Sequence, residues 1–446
     1  MSNPEEPGSV PELSNAFEWD GVVATSTTGG GFAYVPNRAL VPSDLSIELG
    51  AFAAENEEIF AESGPIEGWV TVMGKFDVVR LVGHLRSLGV RAQPVHVFFA
   101  HGELDCCCGD HPFDLLSQPL RSNPLRSNPL RSNPLRSNPL RSNPLRSNSV
   151  DAELPTKSSA RPVAAPTGKK PVNLSGVETR VTVIDTGLAG SIDGVQLCPP
   201  LIASAKGSAG LSIRGALDSP DVERDGWLDA VAGHGTFIAG LIQQHAPGCQ
   251  ILIHKAVRSK GQVDEAKVAQ LLIAEASKPV KNRAAFINLS FGGSIWDSAS
   301  MLESAIYTAQ QAGIVVVASA GNEGVCTPTY PAAFPAVIGV GSIGPDGPSW
   351  FSNYGPWVNA SAPGEDLVSS FFANWDGKNP QISGNDVDDF RGWAVWSGTS
   401  FAAPMVVAAL VREMRLNDCS NTEAVARLIH APHLARIPGM GTIVNI

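Results

Sequence analysis

Apolar residues recur along this chain with two different periods, and where each period holds predicts the elements. Arg38-Ala39-Leu40-Val41, Trp69-Val70-Thr71-Val72 and Val95-His96-Val97-Phe98-Phe99 are short runs rich in β-branched and aromatic residues and read as strands. Between the last two, Val78, Leu81, Val82, Leu85 and Leu88 repeat at three- and four-residue intervals. That spacing predicts a helix over Asp77–Leu88, stopped by Gly89. Ser43–Glu62 has helix-like composition, interrupted by Gly50. Residues 1–30, rich in Gly, Ser, Thr, Pro and acidic residues, read as loose. Residues 1–100 thus read as a small α+β module of strand–helix–strand–helix–strand. His84 and His96 read as ordinary surface or core histidines.

From residue 176 to residue 446 the pattern changes to strand, helix, strand, helix. Val181–Ile184, Ile251–Val257, Ala285–Leu289, Ile314–Val317 and Val337–Val340 are apolar, β-branched runs of the kind that form strands buried on both faces. Between them His234–His245, Val263–Ser277 and Ala299–Gln311 read as helices, and Met405–Leu416 as a last apolar helix. Alternation at these lengths predicts an α/β domain with a parallel sheet and right-handed crossovers.

The two regions are joined by residues 101–175, which show neither period. Residues 119–148 are six tandem copies of Pro-Leu-Arg-Ser-Asn. Proline at every fifth position forbids a helix or an interior strand, so the segment reads as an extended, solvated spacer. His101, Cys106, Cys107, Cys108 and His111 precede the repeats. Three adjacent cysteines do not have the two-to-four residue spacing of a zinc site, and they read as exposed thiols, with no metal site expected. Seven cysteines, an odd and scattered set, make no disulfide framework and suggest a reducing compartment. With no signal-like N-terminus and no transmembrane span, the expectation is a cytoplasmic protein with no membrane partner. A net charge of −11 argues against a nucleic-acid partner.

Three polar residues stand out against the α/β layout. Asp185 ends the first strand, at the carboxyl end where such sheets collect their chemistry. His234 opens a helix within Gly233-His234-Gly235-Thr236. Ser400 lies in a Gly398-Thr399-Ser400 turn that enters an apolar helix, where free backbone N–H groups favour a developing negative charge. Pro404, a few residues on, breaks a local rule by removing a helical donor. A serine nucleophile needs a base, and the base an orienting carboxylate. The chain order Asp, His, Ser excludes the order of the α/β-hydrolases and that of chymotrypsin. The hydrolase elbow also fails because Ala402 stands where its last glycine would be.

With these blocks in view, the chain resembles the subtilisin-like serine peptidases (subtilases). Val183-Ile184-Asp185-Thr186-Gly187, Gly233 to Gly240 and Ser397 to Pro404 match the family's aspartate, histidine and serine motifs. Ala320-Gly321-Asn322-Glu323-Gly324 matches the block that supplies an oxyanion-hole asparagine, and Ala362-Pro363-Gly364 a further block. Asn288-Leu289-Ser290-Phe291-Gly292 resembles the segment that pairs with the substrate backbone.

The resemblance implies a subtilisin-like parallel sheet flanked by helices, preceded by the small α+β module. It implies a serine endopeptidase acting through Asp185, His234 and Ser400 by an acyl-enzyme, with Asn322 in the oxyanion hole. Ser290, Phe291, Gly292, Ala318, Ser319 and Ala320 would bind a protein or peptide substrate. The alternative is a catalytically silent peptide-binding protein on the same fold. By the same resemblance, residues 1–100 would be an intramolecular inhibitor, released by cleavage in the linker. No cofactor is needed for the chemistry; structural calcium is an expectation from the family only. Residues 373–391 read as an acidic insertion, either overhanging the cleft or an ordinary surface loop.

Overall fold

Strand β8 (Arg180–Asp185) runs through the middle of the molecule because its side chains alternate between two apolar layers. Val181 and Val183 join one core, and Ile184 joins the other. The structure is a computed structural model that describes residues 16–19, 22–27, 30–44, 59–64, 66–100, 160–164, 179–189, 212–214, 217–222, 224, 228–372 and 390–446. The PLRSN repeats, the 101–111 Cys/His cluster, most of the insertion and residues 45–58 of the expected first helix lie outside these residues.

At the N-terminal end come β1 (Ala16–Trp19), β2 (Val22–Thr27), β3 (Gly30–Pro42), β4 (Phe60–Ser63), β5 (Trp69–Met73), helix α1 (Val78–Ser87) and β6 (Gln93–Ala100). They form an antiparallel sheet in the order β1-β2-β3-β5-β4, with β6 also paired to β3. Asp77 caps α1 by accepting the Arg80 N–H at 3.0 Å. The helix packs Val78, Val79, Leu81, Val82 and Leu85 against Phe32, Val97 and Phe99 of the sheet. Two expectations are corrected here. Part of the segment expected to be loose forms β1 and β2, where Val22 pairs with Trp19 and Thr25 with Phe32 and both are buried. Residues Phe60–Glu62, expected to be helical, belong to β4 and pair with β5. Composition suggested coil and helix, and cross-strand pairing overrode it.

The remaining elements are β7 (Arg161–Pro162), β9 (Ser212–Arg214), α2 (His234–His245), β10 (Gln250–Lys255), β11 (Gln262–Asp264), α3 (Glu265–Ala276), β12 (Phe286–Leu289), β13 (Phe291–Gly292), α4 (Ser300–Gln311), β14 (Val315–Ser319), β15 (Val337–Gly344), β16 (Gly347–Pro348), β17 (Val358–Pro363), β18 (Leu367–Ser370), β19 (Trp393–Trp396), α5 (Thr399–Asn417), α6 (Asn421–Val425), β20 (Arg436–Ile437) and β21 (Gly441–Ile443). The main sheet has the order β20-β21-β17-β15-β14-β12-β8-β10-β9, with β16 on β15. From β9 to β21 every neighbouring pair along this path is parallel. Helices α2 and α5 share one apolar layer with the sheet, and α3 and α4 share the other. This is the expected α/β fold with helices on both faces.

Several boundaries differ from the sequence reading by a few residues, and some of these bear on the site. Val263 falls in β11 rather than in α3, which starts at Glu265 behind the Asp264 cap (Lys267 N–H to Asp264 Oδ1, 2.7 Å). Helix α5 begins at Thr399, six residues before Met405, so Ser400 lies in its first turn. Arg161–Pro162, read as spacer, forms β7 on β19.

Strand β6 joins the two regions. Its carboxyl end is antiparallel to β11 on one side (Gln262 opposite Phe99, Val263 opposite Phe98) and to β13 on the other (Phe291 opposite Ala100, Gly292 opposite Phe99). Val97 and Phe99 face the α1 core, while Phe98 and Ala100 enter the core that holds Val263 and Phe291. A buried polar knot seals the junction. Glu265 Oε1 accepts from Gln93 Nε2 (2.9 Å), His96 N–H (2.8 Å) and His96 Nδ1 (2.8 Å). The Trp296 N–H donates to His96 Nε2 at 3.2 Å, which puts the ring proton on Nδ1, facing Glu265. Trp296 stacks on Phe32 and lies under the Arg86 guanidinium, 4.6 Å from the ring centre.

Candidate active site

Asp185 ends β8, and His234 is the first residue of α2. The two meet because Gly235 has no side chain: a Cβ there would lie 2.6 Å from Gly187 O and 3.2 Å from Asp185 Oδ1. His234 Nδ1 stands 2.8 Å from Asp185 Oδ1, which also accepts the Thr186 N–H at 2.8 Å. The His234 ring is held edge-on by Trp396 (centroids 5.6 Å, 85°) and against Phe401 (5.2 Å). Asp185, His234 and Ser400 are all fully buried.

The proline inside α5 has a structural consequence. Pro404 lacks the N–H that would bond the carbonyl of Ser400 four residues earlier. That carbonyl instead accepts the Ser290 hydroxyl at 2.8 Å. Ser400 Oγ returns a bond to Ser290 O at 3.1 Å. The serine hydroxyl is thus turned to Ser290, and among the described residues His234 Nε2 has no hydrogen-bond partner.

Asn322 is oriented by the turn that carries Ser400. Its Oδ1 accepts the Thr399 N–H (2.9 Å) and the Thr399 hydroxyl (2.8 Å), so its carbonyl end is committed to the turn. The Thr399 oxygen in turn accepts the Gly321 N–H at 3.1 Å. Behind the loop, Asn353 Oδ1 accepts the Glu323 and Val325 N–H groups (3.1 and 3.0 Å), and its Nδ2 donates to Ala320 O (3.0 Å).

The residues expected to bind substrate divide. Ser290 to Gly292 lie at an edge, where Phe291 and Gly292 pair with β6. Ala318 and Ser319 lie inside β14. Ala318 is paired to Leu289 and Gly339, Ser319 is opposite Val340, and Ala320 N–H donates to Val340 O. The sequence reading missed Asn353, Asp218 and Glu265. Asp218 is buried, and its Oδ2 accepts both the Thr186 hydroxyl and the Gly233 N–H. None of the three stands in a recognisable motif, and the only local signal is an acid or amide beside a turn. His96, read as an ordinary histidine, is the buried partner of Glu265.

Among the described residues no group of three or more His, Cys, Asp or Glu side chains is placed to hold a metal ion. No step below runs through a metal. No helix among them is long and apolar enough to cross a membrane.

The family model described as "Subtilase family" matches residues 176–441. The chain is similar to the thermophilic serine proteinase of Bacillus sp. (strain AK1), with 34% identity over 222 residues, 47% of this chain and 48% of that protein. It is 33% identical over 185 residues to thermitase of Thermoactinomyces vulgaris, covering 39% of this chain and 58% of that protein. It is 26% identical over 265 residues to the minor extracellular protease Epr of Bacillus subtilis (strain 168), covering 57% of this chain and 34% of that protein. The chain thus spans about half the length of the curated relatives it matches. These relatives, one of them named as extracellular, overturn the expectation of a cytoplasmic protein. That expectation rested on the N-terminal sequence, the lack of an apolar span and the cysteines, and unpaired cysteines in a large apolar core carry no compartment signal. Cys249, for example, is a buried core residue whose thiol is pushed up to about 12 by burial. With the family match covering more than half of its length, and the aspartate, histidine, serine and asparagine blocks meeting at one end of the parallel sheet, the chain belongs to the subtilase family.

Proposed function

We propose that the protein is a serine endopeptidase. Ser400 Oγ attacks the scissile carbonyl while His234 Nε2 takes its proton, then returns it to the leaving amine. Asp185 holds the Nδ1–H tautomer and stabilises the imidazolium. The Asn322 amide N–H and the Ser400 backbone N–H, in the first turn of α5, receive the oxyanion. The observation that carries this reading is the Nδ1–Asp185 contact at 2.8 Å, in a site where the Ser400 turn also fixes Asn322. A fluorophosphonate should label the wild-type chain and not Ser400→Ala. A folded wild type that resists labelling would sink the reading.

The same proposal makes residues 1–100 an intramolecular inhibitor. Strand β6 lies antiparallel on Phe291–Gly292, the edge expected to take a substrate strand, so a substrate and β6 compete for one set of backbone groups. Cleavage within 101–175 would free the edge. Intact mass should show a shortened chain for wild type and full length for Ser400→Ala. Equal full-length masses with an active wild type would refute the inhibitory role and leave the peptidase reading standing.

A further inference from the structure

Asp218 stands outside the triad, yet it is hydrogen-bonded to both chain segments that carry the Asp185–His234 pair. It is 5% exposed. Its Oδ2 accepts the Thr186 hydroxyl at 2.8 Å and the Gly233 N–H at 2.7 Å, and its Oδ1 accepts the Ser219 N–H at 2.8 Å. Thr186 directly follows Asp185, and its Oγ1 accepts the Gly235 N–H at 3.1 Å. Gly233 and Gly235 flank His234. One carboxylate therefore ties the turn after β8 to the backbone on both sides of the histidine. The charged groups around it are Lys255 on β10, whose Nζ donates to Leu217 O at 2.9 Å, and the Asp185 and His234 side chains beyond Thr186 and Gly233.

We propose that Asp218, in its ionised form, is the positioning residue that locks the His234 ring to Asp185 for the peptidase chemistry. The proposal rests on the peptidase reading above. A neutral amide of the same shape cannot reproduce the arrangement. With its oxygen toward Thr186 and Gly233, its NH₂ would face the Ser219 N–H, donor against donor; turned over, it would face the Gly233 N–H and abandon the bond beside the histidine. Protonation weakens the arrangement, because it removes the charge that strengthens the three accepted bonds and turns one acceptor position into a donor. Burial, the largest influence, pushes this carboxyl up to about 6 despite the hydrogen bonds and Lys255 that oppose it. The lock therefore loosens as the pH falls through about 6.

The test compares full-length wild type, Asp218→Asn and Asp218→Ala, with fluorophosphonate labelling first establishing that wild type is a serine hydrolase. Asp218→Asn should stay folded and lose about ten- to a hundredfold in kcat with KM within twofold, the signature of a displaced catalytic group. Its acid limb should follow one proton, whereas the wild-type limb is steeper and follows two. Thr186→Val should lower kcat similarly and add little to Asp218→Ala, since both cut one link. If folded Asp218→Asn keeps wild-type kcat and the wild-type limb, the proposal is wrong. It is equally wrong if Asp218→Asn loses activity only in proportion to unfolded protein. A wild type that does not label removes the peptidase reading itself, which a null result in Asp218→Asn alone does not.

Discussion

Glu265→Ala should loosen the N-terminal module without unfolding the rest. The magnitude follows from the junction. Glu265 is fully buried on α3, and its Oε1 is the acceptor for Gln93 Nε2, the His96 N–H and the His96 ring, at 2.8 to 2.9 Å. Alanine leaves three buried donors without an acceptor, each worth about 1–3 kcal/mol, partly offset because the carboxylate no longer has to be desolvated. Three such losses, less the recovered desolvation, come to about 4 kcal/mol, which corresponds to roughly a thousandfold in the opening equilibrium. The opening read here is the separation of β6 from β11 and β13. The Ala100 N–H, which donates to Gly261 O at 2.9 Å, reports it directly. Hydrogen exchange on a Ser400→Ala background, where no self-cleavage can intervene, should show Ala100 exchanging about a thousandfold faster in Glu265→Ala. Glu265→Gln, which keeps an acceptor, should show a smaller change. Amides in the middle of α5 should be unchanged in both. Unchanged exchange at Ala100, or equal acceleration in α5, would refute the argument.

Three further outcomes follow from the site. Asn322→Ala should lower turnover by about 10²–10³ with little change in KM, measured by steady-state kinetics on a peptide substrate. Gly233→Ala combines a φ of +80° with a Cβ placed 2.4 Å from the Phe371 ring. It should cost about 2–4 kcal/mol by urea unfolding, with part recovered in Phe371→Leu. Asp218 also sets a stability slope. Its folded value of about 6 lies above its ordinary 3.8, so the folded state binds the proton more tightly, and stability falls as pH rises through that window. The loss is up to about 3 kcal/mol above pH 6, read as a Tm decline between pH 4 and pH 7 that is smaller in Asp218→Asn.

Much of the scaffold is legible in the sequence. Val181–Ile184, Phe286–Leu289 and Val315–Val317 declare themselves as buried strands because a strand covered on both faces needs apolar β-branched residues at nearly every position. His234–His245 is a helix to the residue. The errors cluster where a segment's state depends on a distant partner. Val263 continues a helical stripe but is drawn into β11 by Val97–Phe99, more than 160 positions earlier. Phe60–Glu62 has helical composition but completes a sheet edge on β5.

Sequence alone determined the order Asp185, His234, Ser400, the asparagine block and the family, because those signals are local and fixed in spacing. Only the tertiary structure decided what those residues touch. It joins Pro404 to Ser290 through the Ser400 carbonyl, brings Asp218 to Thr186 and to the Gly233 N–H beside His234, and lays β6 between β11 and β13 with Glu265 closing the junction over His96. The reason is physical. Periodicity records whether a side chain is buried, which each residue carries in its own chemistry. Which distant residue a buried carboxylate or an open strand edge meets is set by chain topology, and no local pattern encodes it.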